Sequence, residues 1–335
     1  MARRSVNRDP RDGSRAGPFL LLVYNAGTMS IARFKSSILE TVGDTPLIRI
    51  GRMNPEPGVA LYAKVEGFNP MGSVKERIAL RIVEEAEKRG ALKQGMTLLE
   101  SSSGNIGIGL AMVGAVKGYR VVITMSQKAS VERRQILRAL GAEIVFTSSS
   151  GGSDEAWDLA DRLDTEAPGT YFRVGQYSNP DNVQAHYAGT AEEVWRQTGG
   201  RIDDLVITLG TCGTLVGMAR RLKELNPRLR VTGVEPQPKH AQQGLRNLSE
   251  SRVPAIMDWS LVDERMTVCD EDAFRAARDL ARLEGIFAGI SSGTAMHAAL
   301  EVARRERRGS IVTLLPDRGE KYLSTSLYPR GPEPD

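Results

Sequence analysis

The sequence predicts an α/β protein of two domains, with parallel-rich twisted sheets flanked by helices. Three observations carry that prediction. From about residue 60, short apolar runs alternate with longer stretches in which apolar residues recur at three- and four-residue spacing, the signature of strands feeding helices. Each run is followed by a turn and a helical period, so the strands are parallel and joined by crossovers. The chain has 335 residues, 41% hydrophobic and 26% charged, which suffices for two ordinary globular domains.

The elements follow in order. Residues 1–29 are rich in Arg, Gly and Ser, with Arg3, Arg4, Arg8, Arg11 and Arg15 ahead of the apolar run Phe19-Leu-Leu-Leu-Val-Tyr24. They read as a disordered or artefactual extension, with Met29 as a natural start. Six apolar residues cannot span a bilayer and fall short of a signal-peptide core. Residues 59–65 form the first strand. Asn69-Pro70 and Gly72 then supply a turn, and Ile78, Ala79, Ile82, Val83 and Ala86 mark a helix that runs from Ser73 to a stop at Gly90. Further strands are predicted at 97–99, 120–125, 143–147, 170–173, 205–209, 230–235 and 311–315. Helices are predicted at 105–117, 131–140, 155–166, 182–197, 214–225, 271–284 and 294–307. No repeat of solenoid period and no low-complexity linker interrupts this rhythm.

Composition excludes several classes of function. The formal net charge of +4 comes partly from the N-terminal arginines, and no Lys/Arg stripe with interleaved aromatics supports nucleic-acid binding. Cys212 and Cys269 give neither a disulfide framework nor zinc-ligand spacing, which fits a reducing cytoplasm. His186, His240 and His297 lie apart from carboxylate clusters, so no metal site is expected.

Chemistry concentrates in one lysine and three loops. Lys75 falls in the first turn of a helix, where the macrodipole disfavours a cation unless an anion or a covalent partner is near. A phosphate-bearing aldehyde would supply both; the plain reading is a solvated lysine on an amphipathic helix. Three further turns follow strands and lead into helices, where ligands bind in open parallel sheets. Glu100-Ser-Ser-Ser-Gly-Asn-Ile-Gly107 offers hydroxyls, backbone amides and one side-chain amide to an anion or ring oxygen, and reads equally as an N-cap cluster. Gly210-Thr211-Cys212-Gly213-Thr214 suits a phosphate monoester at a helix N-terminus, although it is neither a Walker loop nor Gly-x-Gly-x-x-Gly. The third is Gly289-Ile-Ser-Ser-Gly293.

Together these stretches resemble the cysteine synthase family, in the β-eliminating branch of fold-type II pyridoxal-phosphate enzymes with the tryptophan synthase β-like fold. The resemblance covers residues 36–328 and is carried by Gly43-Asp-Thr-Pro-Leu47, Asn69-Pro-Met-Gly-Ser-Val-Lys-Glu-Arg77, Ser103-Gly-Asn105, Gln176-Tyr-Ser-Asn-Pro180, Gly210-Thr-Cys-Gly-Thr214, Gly285-Ile-Phe-Ala-Gly-Ile-Ser-Ser-Gly293 and Asp317-Arg-Gly-Glu-Lys-Tyr-Leu-Ser-Thr325. The last two, with Val131-Glu-Arg-Arg134, look most like the B-type enzymes. The resemblance implies an N-terminal α/β domain at 69–178 with a mobile substrate-loop subdomain, and a C-terminal domain of 36–68 with 179–330. It implies pyridoxal 5'-phosphate as cofactor, with Lys75 as its covalent anchor and the base at Cα. Asn105 would meet the ring hydroxyl, Gly210, Thr211, Cys212, Gly213 and Thr214 the phosphate, and Ser291 the pyridine nitrogen. Ser102, Ser103 and Gln176 would receive the substrate carboxylate.

The implied reaction is β-replacement on O-acetyl- or O-phospho-L-serine by a sulfur nucleophile, giving L-cysteine. The donor would be sulfide, thiosulfate or a sulfur-carrier protein thiocarboxylate, and the enzyme a cytoplasmic homodimer. Arg246 matches a position where some B-type relatives recognise O-phosphoserine, and a guanidinium suits a phosphate. The sequence departs from the family at Ile106, where a threonine is usual, and at Cys212 in the phosphate loop. An apolar residue at 106 also suits relatives that add an amine such as glutamate for 2,3-diaminopropionate synthesis. Cystathionine β-synthase-like activity and a non-catalytic binding partner are the remaining alternatives; intact Lys75, Asn105 and Ser291 argue against the last.

Overall fold

Two sheets organise the molecule in the computed structural model, which describes residues 21–25, 28–32, 34–102, 104–148 and 152–328. In chain order the strands and helices are β1 (Leu21–Asn25), β2 (Thr28–Ala32), β3 (Leu47–Arg49), β4 (Val59–Val65), α1 (Lys75–Lys88), β5 (Thr97–Ser101), α2 (Asn105–Lys117), β6 (Arg120–Ser126), α3 (Val131–Ala139), β7 (Glu143–Thr147), α4 (Gly152–Glu166), β8 (Tyr171–Arg173), α5 (Pro180–Ala185), α6 (Ala191–Thr198), β9 (Asp204–Thr208), α7 (Gly213–Leu225), β10 (Arg230–Pro236), β11 (Glu264–Val268), α8 (Asp270–Asp279), α9 (Ile290–Glu306) and β12 (Gly309–Leu315).

The larger sheet has the order β11-β10-β9-β12-β4-β3, and the smaller has the order β7-β6-β5-β8. Every pairing in the smaller sheet is parallel. In the larger sheet only β3 runs antiparallel, against β4. Inner strands such as β5 and β12 are almost wholly buried because helices cover both faces, which is why they read as unbroken apolar runs. The edge strand β11 alternates half-buried with exposed residues. Its weak apolar content hid it in the sequence, as brevity hid the three-residue β3.

Three apolar clusters fill the space between layers. One joins α1 and α2 to the smaller sheet through Ile78, Ile82, Leu98, Ile108 and Ile123. The other two pack α9 and α7 on opposite faces of the larger sheet, around Met296 with Ile311 and around Leu215 with Ile207.

The structure differs from the sequence reading in three helical places. The run expected as one helix over 182–197 is split by a π turn at His186–Thr190 between α5 and α6. The helix expected over 271–284 likewise ends in a π turn at Leu280–Glu284. Helix α9 starts at Ile290, not Thr294, because Gly289 in an extended conformation already serves as its cap. Within the predicted extension, Leu21–Asn25 pairs antiparallel with Thr28–Ala32, and the remainder of 1–29 lies outside the described residues. Among the described residues no helix is long and apolar enough to cross a membrane, and none form a group of three metal-binding side chains.

Candidate active site

The site forms where the carboxyl ends of β4, β5, β9 and β12 meet, as open parallel sheets dictate. Lys75 is the first residue of α1, and the turn before it is fixed by reciprocal capping: Ser73 N–H donates to Glu76 Oε1 at 2.9 Å, and Lys75 N–H donates to Ser73 Oγ at 3.2 Å. On the far side of α1, Arg77 donates to Glu66 at 2.6 and 2.9 Å and to Glu193 at 2.7 Å through each terminal nitrogen. Glu66 also accepts from Thr45 and Asn69, so the Asn69 turn and the helix start are pinned to β4 by one charge cluster. The aminoterminal end of α1 is thereby tied to the end of β4 and to α6.

In front of α1 opens a cleft that encloses about 790 Å³ when the open solvent at its mouth is included. Of the residues that sequence reasoning singled out, it is lined by Lys75, Ser102, Asn105, Gln176, Gly210, Thr211, Cys212, Thr214 and Ser291. Gly213 begins the helix behind the turn, so close to its neighbour that a Cβ there would sit 2.0 Å from Asn182 Oδ1. Ser103 lies outside the described residues. Arg246 is not among the lining residues: its guanidinium lies 4.5 Å over the Tyr177 ring and faces Asp154 at 3.4 Å.

Burial sets the electrostatics. It lowers the Lys75 ammonium to a pKa of about 8, against weaker opposing pulls from Cys212, Asp317 and Glu76. Lys75 Nζ has no hydrogen-bond or ion-pair partner among the described residues. Burial pushes the Cys212 thiol up to about 12, so it stays protonated and inert. Asn105 is held from both sides: its Nδ2 donates to Asp317 Oδ2 at 2.7 Å and its Oδ1 accepts from Lys321 Nζ at 3.0 Å. Ser102 Oγ accepts from the amides of Gly104 and Gly107, so it ties down the entry to α2, whose cap position is Gly104. Gln176 Nε2 donates to Ser101 O at 3.0 Å.

The turn at 210–214 is built to accept an anion. Cys212 has φ 67°, a left-handed cap residue at the start of α7, a conformation that can aim successive N–H groups to one side. The amides of Gly210, Thr211 and Cys212 find no acceptor among the described residues, and the first amides of α7 have none within the helix. This donor set fits a phosphate, and an unpartnered amine at Lys75 fits an aldehyde. The residues present therefore match pyridoxal 5'-phosphate.

Sequence reasoning missed several lining or supporting groups, namely Tyr177, Gln243, Tyr322, Asn182 and His186. Asn182 Nδ2 donates to Thr211 Oγ1, and His186 Nε2 meets Thr214 Oγ1, each at 3.1 Å. Nothing in local spacing marks them, because their partners lie 29 and 28 residues away.

The sequence profile described as "pyridoxal-phosphate dependent enzyme" matches residues 38–317. The chain is 42% identical over 293 residues to cysteine synthase B of Escherichia coli, across 88% of this chain and 96% of that one. It is 43% identical to a cysteine synthase of Aquifex aeolicus, across 88% and 92%. Among solved structures it resembles an O-ureido-L-serine synthase, with 40% identity and a TM-score of 0.84 over 88% of this chain and 96% of the other. It also resembles a cysteine synthase from Entamoeba histolytica, with 38% identity and a TM-score of 0.84 over 94% and 96%.

Proposed function

The chain belongs to the pyridoxal-phosphate-dependent enzyme family, in its cysteine synthase branch, and on that premise we propose that it replaces the β-substituent of an O-activated L-serine with sulfur to give L-cysteine. The observation that carries this reading is one cavity in which the Lys75 amine, without a partner among the described residues, a neutral serine and an anion-accepting turn converge. When bound, the cofactor supplies the electron sink that makes Cα–H acidic and lets the β-substituent leave.

The chain's own residues supply the rest. The 210–214 turn holds the phosphate, Asn105 directs an amide hydrogen to the ring hydroxyl, and Ser291 meets the pyridine nitrogen. A neutral hydroxyl cannot hold a proton on that nitrogen as a carboxylate would, which favours β-elimination over transamination. Lys75 takes the Cα proton, and burial, by lowering it to about 8, raises the fraction present as the neutral amine that this requires. Gln176 and the Ser102 loop receive the substrate carboxylate, fixing Cα over the lysine.

A larger nucleophile is the second reading, favoured by Ile106, which is 2% exposed and lines the cavity where a hydroxyl would bind water or carboxylate. For the assembly we propose a homodimer in the cytoplasm. Phe68, Phe287 and Leu323 are exposed around the crossing where Arg318 packs on Gly67 and Gly72, an apolar face suited to a second copy. Mass measurement in solution would find twice the chain mass.

The function is tested by adding O-acetylserine or O-phosphoserine separately to cofactor-loaded protein, then sulfide. The substrate in use changes the visible spectrum at low concentration, and sulfide then releases free cysteine. No spectral change and no cysteine with either would overturn the reading.

A further inference from the structure

We propose that His186 is a positioning residue for the anion-binding turn: it donates its Nε2–H to Thr214 and so directs the Thr214 hydroxyl proton into the cavity. The proposal rests on the reading that residues 210–214 hold the cofactor's phosphate.

The imidazole lies between two hydroxyls. Its Nδ1 is 2.9 Å from Thr190 Oγ1 and its Nε2 is 3.1 Å from Thr214 Oγ1. His186 and Thr190 are both fully buried, while Thr214 reaches the cavity. Burial keeps the ring neutral, and the cations of Arg77 and Lys75 act in the same direction. A neutral imidazole has one N–H and one acceptor nitrogen. Only two arrangements then exist. In the first, Nδ1–H donates to Thr190 and Nε2 takes the Thr214 proton, so that Thr214 would present lone pairs alone to a phosphate. In the second, Thr190 donates to Nδ1, Nε2–H donates to Thr214, and the Thr214 proton is left for the anion.

One further observation favours the second arrangement, and another shows that the fold holds the ring in place for either. The other threonine of the turn is treated the same way, since Thr211 Oγ1 accepts from Asn182 Nδ2 at 3.1 Å, and an amide nitrogen can only donate. In the second arrangement both threonine oxygens are filled from behind by donors, which leaves both hydroxyl protons for the anion. The fold also invests in the approach. The π turn at His186–Thr190 sets the Thr190 hydroxyl against the ring of the residue four earlier. Gly217 lets α7 close onto it, where a Cβ would fall 2.4 Å from Val183 O and 2.8 Å from His186 Cβ. A π turn inserted in a helix often marks a functional position.

The test compares pyridoxal 5'-phosphate with pyridoxal as ligands of the cofactor-free protein, measured by visible absorbance, in wild type, His186→Phe, His186→Gln and Thr190→Val. The wild type should prefer the phosphorylated ligand. His186→Phe should weaken that ligand by about tenfold or more while changing pyridoxal by less than about threefold, because only the phosphate uses the directed proton. His186→Gln, whose amide nitrogen reaches the place of Nε2, should restore most of the preference. With only three histidines in the chain, ¹⁵N NMR of wild type should also find the His186 proton on Nε2. A proton on Nδ1, or equal losses for both ligands, would overturn the proposal even if His186→Phe folds poorly. A wild type that binds both ligands equally would instead overturn the phosphate reading on which the proposal rests.

Discussion

Helix α1 separates two buried polar regions that are built from similar residues and behave differently. Behind it, Lys64, Glu66, Arg77 and Glu193 satisfy one another. Lys64 Nζ meets Thr45 O at 2.6 Å, Gln197 Oε1 at 2.9 Å and Glu193 Oε2 at 2.6 Å, and Arg77 has contacts on both carboxylates. Although burial pushes the Glu193 carboxyl up, Arg77 and Lys64 hold it down at about 2. In front, Lys75 Nζ, the hydroxyl of Ser291 and the amides of Gly210, Thr211 and Cys212 lack partners among the described residues, and Asn182 Oδ1 is buried without one. Buried polar groups are costly unless bonded. A cluster that closes on itself is therefore scaffold, and one left open is a place for a ligand.

The widest separation between the regions should appear in activity. Lys75→Met should remove the cofactor's visible absorbance and lower β-replacement by more than about 1000-fold, since the proposed anchor and the proposed base are lost together. A coloured, active variant would break the comparison at its centre. Arg77→Met should act on stability instead. It leaves Glu66 and Glu193 buried without their cation, at a cost of about 3–5 kcal/mol in urea denaturation of cofactor-free protein. Turnover per folded molecule should stay close to wild type. A loss below about 1 kcal/mol would show that the rear cluster is not scaffold.

The same Lys75→Met substitution should have the opposite effect on stability. The folded-state pKa of Lys75 is about 8, below its ordinary 10.5, so folding disfavours its cation. The unfolded chain binds the proton more tightly, and the penalty is fully present below pH 8. It shrinks as pH rises from 8 to 10.5 and is absent above. Removing the ammonium should therefore stabilise the cofactor-free protein at pH 7 by up to about 3 kcal/mol. The difference between variant and wild type should narrow at pH 10. A variant destabilised to the same extent at both pH values would mean that folding imposes no penalty on the Lys75 ammonium.

The contrast between scaffold and site was only half visible in the sequence. The Lys75 turn, the 210–214 loop and Ser291 stand where strands hand over to helices, and that rhythm is local, so motif and element could be read together. The rear cluster and the second layer behind the turn are not local. Glu193 meets Arg77 across 116 residues and Asp317 meets Asn105 across 212, separations that no periodicity encodes. His186 looked like a lone histidine because its partners are hydroxyls rather than carboxylates. The π turn that carries it packs against Gly217 of a different helix, a contact that local periodicity does not show, so residues 182–197 read as one regular helix.

Arg246 stands one residue behind the cavity wall, on Tyr177, and tests the comparison most finely. In the sequence it is a candidate for the phosphate of O-phosphoserine. In the fold it behaves like the rear cluster: its guanidinium covers Tyr177 at 4.5 Å, donates to the Tyr177 hydroxyl at 3.3 Å and faces Asp154. Trp157 stacks on the same tyrosine at 4.5 Å, and Tyr177 in turn lines the cavity. An arginine engaged in this way shapes the wall and contributes similarly whichever substrate is bound. Arg246→Ala should then lower kcat/KM by about three- to tenfold for O-acetylserine and O-phosphoserine alike, the scale of a partly buried cation–π contact. If the guanidinium instead leaves Asp154 to hold a phosphate dianion, the loss should be selective, about 30- to 1000-fold for O-phosphoserine and under tenfold for O-acetylserine. Normalising each rate to the fraction of protein that carries cofactor separates either pattern from simple unfolding. Asp154→Ala distinguishes them again: it should mimic the small, equal loss if the pair is structural, and should improve O-phosphoserine turnover if the carboxylate competes with the substrate for Arg246.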